Sequence, residues 1–207
     1  MTDPGRSDRP AADVFPILPS IRQDDNDNPV TTTPGNADLA EVNVMRKVVM
    51  PSILMSNANR MMNKLDDLYA VTASYSIDLI CITESWLTPD VPDSACFIPG
   101  YQVFRKDRKA GLGGGVMCYA RECMRCCVAE PNSGSARDGF EHELLWLIIR
   151  PPTLPRPISV IVLVIVYCPP WYSAEMKRSL VRTITLGVDF FAGKFSSACF
   201  LILGDFN

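Results

Sequence analysis

Short apolar runs alternate with polar and turn-forming stretches from about residue 51 to the end of the chain. The runs are rich in Val, Ile and Leu and are bounded by Gly, Pro, Asn or Ser, a pattern typical of buried β-strands. The longest run, at 158–166, is interrupted only by Ser159. Strands are predicted at 52–55, 79–82, 101–105, 115–120, 144–149, 158–166 and 199–203.

Two segments instead have the apolar spacing of amphipathic helices. The first begins after Asn63, a residue that can cap a helix, and ends near Tyr75. The second spans about 174–191, with Leu180 and Ile184 on one face. Since the first helix lies between two predicted strands, the order favours an α/β architecture with parallel pairing.

Charge is distributed unevenly along the chain. The formal net charge is −3; residues 1–50 carry eight acidic and five basic side chains, and residues 51–207 carry fifteen of each. We therefore expect no broad positive surface for DNA, and any contact with nucleic acid should be local and assisted by a metal ion. The acidic, proline-containing stretch 1–48 is predicted to be a disordered leader, followed by one partial domain over 49–207.

Eight cysteines occur without a secretory signal peptide, which favours a reduced, intracellular chain over a disulfide scaffold. The longest apolar run is too short to cross a bilayer, so no membrane partner is expected. The 207 residues are enough for one medium-sized domain with a core of its own.

Polar residues follow four of the predicted strands, at the positions where α/β folds gather their chemistry. These residues supply carboxylates at Glu84 and Asp205, amides at Asn57 and Asn207, and the phenol of Tyr167. Mg²⁺ uses few protein carboxylates and keeps water and substrate oxygens as its other ligands. The set therefore suits a hard divalent cation and a phosphate.

Six motifs resemble those of the endonuclease domain of non-LTR (LINE-type) retrotransposons and follow the same order along the chain. That domain is an apurinic-endonuclease-like branch of the endonuclease/exonuclease/phosphatase superfamily. Residues 57–60 and 63–68 resemble its NARS…NKLDEL opening, 82–87 its ITETWL motif, 167–170 its YRPP motif and 204–207 its GDFN motif. Residues 100–101, 107–108 and 113–116 resemble its GY…RDR…GGGG stretch. The resemblance covers 52–207 and implies an α/β, two-sheet sandwich flanked by helices, incomplete at the C-terminus.

The resemblance also implies roles for single residues in Mg²⁺-dependent hydrolysis of a DNA phosphodiester. Glu84 matches the family's Mg²⁺ ligand, and Asn57 matches the asparagine that helps to arrange metal and phosphate. Tyr167 matches the tyrosine that hydrogen-bonds the scissile phosphate. Asp205 matches the aspartate that orients or activates the attacking water, and Asn207 matches the asparagine that contacts the phosphate.

Cofactor, partners and location follow from the same resemblance. Mg²⁺ is the implied cofactor, with Mn²⁺ as the alternative, and DNA is the implied substrate. Arg105 and Arg108 are predicted to bind the DNA backbone, with a solvated turn as the alternative. A reverse transcriptase domain encoded downstream is the implied partner in the parent element, and a functional enzyme would be nuclear.

Two departures from the family pattern predict impaired cleavage. Cys168 stands where the family has an arginine, and the chain ends at Asn207, before the family's Asp-His motif. The single histidine, His142, is expected to be a partly exposed strand residue and no substitute. A general acid or base contributes about 10²–10⁴-fold, so its loss is costly. The alternatives are a non-catalytic truncated remnant with at most a binding role, or another phosphoesterase of the superfamily.

Overall fold

A computed structural model of the chain describes residues 50–109, 111–131 and 140–207, so the predicted leader at 1–48 lies outside the described residues. The described residues belong to a compact unit over Val48–Asn207. They form eight strands, arranged as two four-stranded sheets, and two α-helices. Neither helix in these three ranges is both long enough and apolar enough to span a membrane.

The first sheet has the strand order β1–β2–β4–β3. Its strands are β1 (Ile53–Asn57), β2 (Leu79–Thr83), β3 (Tyr101–Lys106) and β4 (Val116–Arg121). β1 and β2 are parallel and are joined through α1 (Leu65–Ser74), whereas β4 is antiparallel to both of its neighbours. The parallel pairing predicted from the strand–helix–strand order is confirmed.

The second sheet has the order β5–β6–β7–β8. Its strands are β5 (Cys126–Val128), β6 (Glu143–Ile149), β7 (Val160–Tyr167) and β8 (Ala198–Asp205). β7 and β8 are parallel and are joined through α2 (Ala174–Lys194). β5 was not predicted, because it is only three residues long and two of its side chains are exposed, which leaves no apolar run to detect.

The long apolar run in β7 is explained by burial on both of its faces. Ile161, Leu163 and Ile165 pack between the two sheets, against β2 and β6. The alternate residues Val162 and Val164 face the other side, where Leu180, Ile184 and Phe191 of α2 cover the sheet. A strand with both faces buried is a continuous hydrophobic run rather than an alternating one. The predicted fold class, a two-sheet sandwich flanked by helices, is confirmed.

The two helices begin in different ways. The Ser173 hydroxyl accepts a hydrogen bond from the Met176 N–H at 3.2 Å, which caps α2. The predicted cap of α1 by Asn63 is wrong: Asn63 already lies inside a 3₁₀ turn (Met61–Asn63), and Lys64 precedes the helix without a side-chain cap. That turn starts early because the Arg60 and Met61 N–H groups donate to carbonyls of the segment after β2.

Candidate active site

The carboxyl ends of both parallel strand pairs carry the polar residues singled out above. Asn57 ends β1, and Glu84 directly follows β2. Tyr167 ends β7, where it lies opposite Asp205 at the end of β8. Parallel strands deliver their carboxyl ends to one edge of a sheet, and here the edges of the two sheets meet.

Side-chain hydrogen bonds connect these four residues. Asn57 Nδ2 donates to Glu84 Oε1 at 3.1 Å and to Asp205 Oδ2 at 2.9 Å. The Tyr167 hydroxyl donates to the same Glu84 Oε1 at 2.7 Å. One amide therefore holds two carboxylates together, and one of these carboxylates also accepts from a phenol. We call Asn57, Glu84, Tyr167 and Asp205 the carboxylate cluster.

Glu84 is aimed into the cluster by an unusual backbone. Its φ is +53°, and Trp86, two residues later, has φ +54°. A left-handed backbone is uncommon at residues other than glycine and costs about 1–3 kcal/mol per residue. Other contacts must therefore hold Glu84 and Trp86 in this conformation. The Arg60 N–H donates to the Glu84 carbonyl at 3.0 Å, and Trp86 Nε1 donates to Glu84 Oε2 at 3.3 Å.

Asp205 is positioned by a close approach between β7 and β8. Gly204 faces Val166 so closely that a Cβ there would lie 2.0 Å from the Val166 carbonyl oxygen. After the strands end, the Cys168 N–H donates to the Asp205 carbonyl at 2.8 Å. The missing side chain at Gly204 therefore lets β8 deliver Asp205 to the cluster.

The environment of Tyr167 favours its protonated form. Burial, then the hydrogen bond and charge of Glu84, raise the pKa of the phenol, while the Arg108 guanidinium partly opposes this shift. The raised pKa keeps Tyr167 a hydrogen-bond donor throughout the neutral and mildly alkaline range.

The other three predicted site residues, Asn207, Arg105 and Arg108, have partners of their own. Asn207 is next to Cys168, to whose carbonyl its side-chain amide donates at 3.5 Å, and the Asn207 carbonyl accepts from Lys177 Nζ at 2.7 Å. Arg105 forms ion pairs with Asp93 at 3.1 Å and with Asp107 at 3.5 Å.

Arg108 pairs with Glu143 at 2.6 Å, and its guanidinium carbon lies 5.8 Å from the centre of the Tyr167 ring. The ion pairs of Arg105 and the hydrogen bonds of Asn207 connect these two residues to other parts of the chain, not to the carboxylate cluster. Their predicted substrate contacts stay predictions.

His142 differs from its prediction. It precedes β6 rather than lying in a strand, and it is buried, with 6% of its surface exposed. Its Nε2 lies 2.8 Å from the Ser179 hydroxyl and its Nδ1 lies 3.4 Å from the Tyr172 hydroxyl. The sequence missed this burial because Ser179 is on α2, 37 residues away.

The sequence did not identify Glu143 and Trp86 as residues of the site. Glu143 lies opposite Tyr167 in the β6–β7 register, and Trp86 donates to Glu84. In the sequence, Trp86 is one residue of the motif at 82–87 with no role of its own, and Glu143 is an ordinary residue at the start of a strand. Their contributions depend on contacts between segments that are distant in the sequence.

The carboxylate cluster fits a hard divalent cation. It offers two carboxylates held by one amide, and Mg²⁺ needs only one or two protein carboxylates beside water and substrate oxygens. Across the three described ranges, no group of three or more His, Cys, Asp or Glu side chains could form an all-protein metal cage. Carboxylate oxygens are the ligand type that suits Mg²⁺ or Mn²⁺.

No protein-family model matches the chain, and no curated protein matches it in sequence. Solved structures do match. The catalytic domain of APE2 from Xenopus laevis has a TM-score of 0.54 at 17% identity, over 75% of this chain and 58% of that one. The 3′ phosphatase NExo from Neisseria, bound to a product DNA hairpin, has a TM-score of 0.52 at 16% identity, over 75% and 57%.

An AP endonuclease from Archaeoglobus fulgidus has a TM-score of 0.50 at 14% identity, over 74% of this chain and 56% of that one. The chain therefore covers less than three-fifths of the length of each of these proteins. At such low identities the likeness concerns the fold. The chain has the two-sheet α/β fold found in these AP endonuclease and exonuclease–phosphatase proteins.

Proposed function

We propose that the described domain is a Mg²⁺-dependent phosphodiesterase that acts on DNA, with the carboxylate cluster as its active site. One observation carries the proposal: the Asn57 amide holds the carboxylates of Glu84 and Asp205 together, and the Tyr167 phenol donates to Glu84. Two carboxylates, an amide and a protonated phenol are the groups needed to hold a divalent cation and a phosphate.

The residues of the cluster have separable tasks. Glu84 and Asp205 would hold the cation, and a bound Mg²⁺ supplies positive charge that offsets the charge of the transition state. Asp205 is also the carboxylate available to orient the attacking water and accept its proton. Tyr167, kept protonated by its raised pKa, can donate its one hydroxyl proton to a phosphate oxygen in place of Glu84 Oε1 when that carboxylate holds the cation. Asn57 fixes the separation of the two carboxylates.

DNA is the substrate that both the fold and the motif order support. Proteins of the same fold are AP endonucleases and a 3′ phosphatase, and the latter was solved with a DNA hairpin. The motif order resembles retrotransposon endonucleases, so we propose a nicking activity of that kind. By the same resemblance, a nuclear location and a reverse transcriptase domain as partner belong to the proposal.

A binding role with slow cleavage is the second candidate. The sequence contains one histidine, and His142 is buried against Ser179 of α2. The 207 residues thus give the cluster no histidine to protonate a leaving group. A missing general acid costs about 10²–10⁴-fold, so cleavage by this polypeptide would be slow while DNA binding is retained.

Nicking of supercoiled plasmid by the 207-residue chain tests the proposal. We expect nicking with Mg²⁺, none with a chelator, and at least a hundredfold loss in Glu84→Gln and in Asp205→Asn, the scale of one lost acid–base or charge-stabilising group. Glu175→Gln, which changes an exposed acidic residue on α2, is the matched control and should keep full activity. DNA binding with nicking that is too slow to detect favours the second candidate. Equal nicking by wild type and both cluster variants contradicts the proposal.

A further inference from the structure

An ion pair between Arg108 and Glu143 links the two sheets beside the carboxylate cluster. Arg108 follows β3 of the first sheet, and Glu143 begins β6 of the second. Arg108 Nε and Nη2 both donate to Glu143 Oε1, at 2.8 and 2.6 Å. The two side chains are only 16% and 12% exposed. Water therefore screens this pair much less than it screens a surface ion pair.

The glycine loop, residues 111–115, rests on this ion pair. Glu143 Oε2 accepts from the Gly115 N–H, and the Leu112 carbonyl accepts from Arg108 Nη1 at 2.8 Å. A Cβ on Gly114 would lie 2.4 Å from the Arg108 guanidinium, so the loop backbone lies directly against that group. The position of the loop is therefore set by the ion pair.

The loop in turn contacts the residue that supports Glu84. A Cβ on Gly113 would lie 3.2 Å from Trp86 Nε1, the atom that donates to Glu84 Oε2. The backbone N–H of Trp86 donates to the Gly114 carbonyl at 2.9 Å. A continuous series of contacts thus runs from Glu143 through the glycine loop and Trp86 to the carboxylate cluster.

Tyr167 is the second residue that the ion pair reaches. Glu143 lies opposite Tyr167 in the β6–β7 register, and the Arg108 guanidinium carbon lies 5.8 Å from the centre of the Tyr167 ring. Cation and ring at this distance attract each other, which holds the ring in the orientation that donates to Glu84. Three of the five N–H donors of Arg108 already donate within the chain, one from each nitrogen.

We infer that Arg108 and Glu143 are positioning residues: their ion pair fixes Tyr167 and the glycine loop beside Glu84, and Arg108 does not bind the DNA phosphate. The inference rests on the proposed function. It replaces the sequence-based expectation that Arg108 contacts the DNA backbone. It also assigns a task to Glu143, which the motifs did not single out.

Steady-state nicking separates positioning from phosphate binding. For Glu143→Gln and Arg108→Ala we expect kcat to fall at least tenfold, with KM within twofold of wild type. The double variant should lose no more than the worse single variant, because the two side chains act as a unit. Arg108→Lys, which keeps the charge but loses the two-point contact, should recover part of kcat. Lys109→Ala and Glu141→Gln break an exposed ion pair between the same two segments, after β3 and before β6, and should change neither constant.

A phosphate-binding Arg108 gives the opposite pattern. Arg108→Ala would then raise KM severalfold at unchanged kcat, and Glu143→Gln would lower KM by freeing the guanidinium. Either result overturns the inference. Full kcat in Glu143→Gln also overturns it. Thermal melts of every variant identify those that fail to fold. If Arg108→Ala is one of them, the kcat and KM of Arg108→Lys decide between positioning and phosphate binding.

Tryptic cleavage provides a readout that does not depend on catalysis. In the full chain, the bond after Arg108 should be protected, and Glu143→Gln should speed its cleavage at least fivefold while Glu141→Gln does not. If the wild-type chain does not nick DNA but the bond after Arg108 is protected, the proposed function fails. The inference that the ion pair holds the glycine loop in place is then retained. If cleavage after Arg108 is equally fast in wild type and Glu143→Gln, the inference fails whatever the activity.

Discussion

Tyr167 and Glu84 are joined by a 2.7 Å hydrogen bond, although 83 residues separate them in the chain. Tyr167 belongs to the second sheet, and Glu84 follows a strand of the first. This contact exists only when the two sheets are packed together, so the geometry of the site depends on the packing of the sandwich. A variant that loosens the packing between the sheets should therefore weaken the site before it abolishes secondary structure.

The raised pKa of Tyr167 predicts a pH dependence of stability. An unfolded tyrosine ionises near pH ~10, whereas burial and Glu84 raise the pKa of the folded phenol above that value. The native state then holds the proton more tightly, so stability is retained below pH ~10 and falls as the pH rises above it. Tyr167→Phe should reduce this alkaline loss, measured as the drop in Tm between about pH 8 and pH 11. Tyr75→Phe, at a site that is 39% exposed, is the control. An identical drop in wild type and Tyr167→Phe would refute the expected linkage.

Asn57→Asp should convert the bridging amide into a third carboxylate. Without a divalent cation, we expect the free energy of unfolding to fall by between about 1 and 4 kcal/mol, the range for unit charges ~4 Å apart between water and a protein surface. Added Mg²⁺ should recover more stability in Asn57→Asp than in wild type, because the cation offsets the new charge. Asn63→Asp, at an exposed asparagine, controls for the general effect of charge. Equal Mg²⁺ responses in Asn57→Asp and wild type would mean that Asn57 does not face a cation site.

Gly204→Ala should separate β7 from β8 at the site. The added Cβ meets the Val166 carbonyl oxygen at 2.0 Å, which the backbone can relieve only by moving. We expect a loss of ~1–3 kcal/mol in the free energy of unfolding, measured by chemical denaturation, and reduced nicking. In Gly193→Ala, the Cβ meets nothing within 4 Å, and the helix should gain roughly 0.5–1 kcal/mol. A neutral Gly204→Ala variant would contradict the close strand approach.

The strands and the longer helix could be predicted from the sequence because their signal is local. The run in β7 and the spacing of Leu180 and Ile184 in α2 depend on burial patterns within one segment. β5 and the start of α1 could not be predicted, since both depend on contacts with other segments. The Asn63 error has this cause: the Met61–Asn63 turn is set by hydrogen bonds to the segment after β2.

The candidate site likewise has features that the sequence predicts and features that depend on contacts between distant segments. Polar residues at strand ends are visible in the sequence, and four of them, Asn57, Glu84, Tyr167 and Asp205, are joined by hydrogen bonds. The partners of the charged residues were not visible. The ion pair of Arg108 with Glu143 depends on the packing of two sheets, and no spacing rule predicts it.

Cation binding tests most directly whether Glu84 and Asp205 form one site. Mn²⁺ bound to the 207-residue chain can be measured by electron paramagnetic resonance, for wild type, Glu84→Gln, Asp205→Asn and the double variant, with Glu175→Gln as the control. If both carboxylates hold one cation, each single variant should weaken Mn²⁺ binding at least tenfold. The double variant should then lose less than the product of the two single losses, since neighbouring groups act together. Wild-type Mn²⁺ affinity in both single variants would contradict the assignment of the carboxylate cluster as the metal site of a phosphodiesterase.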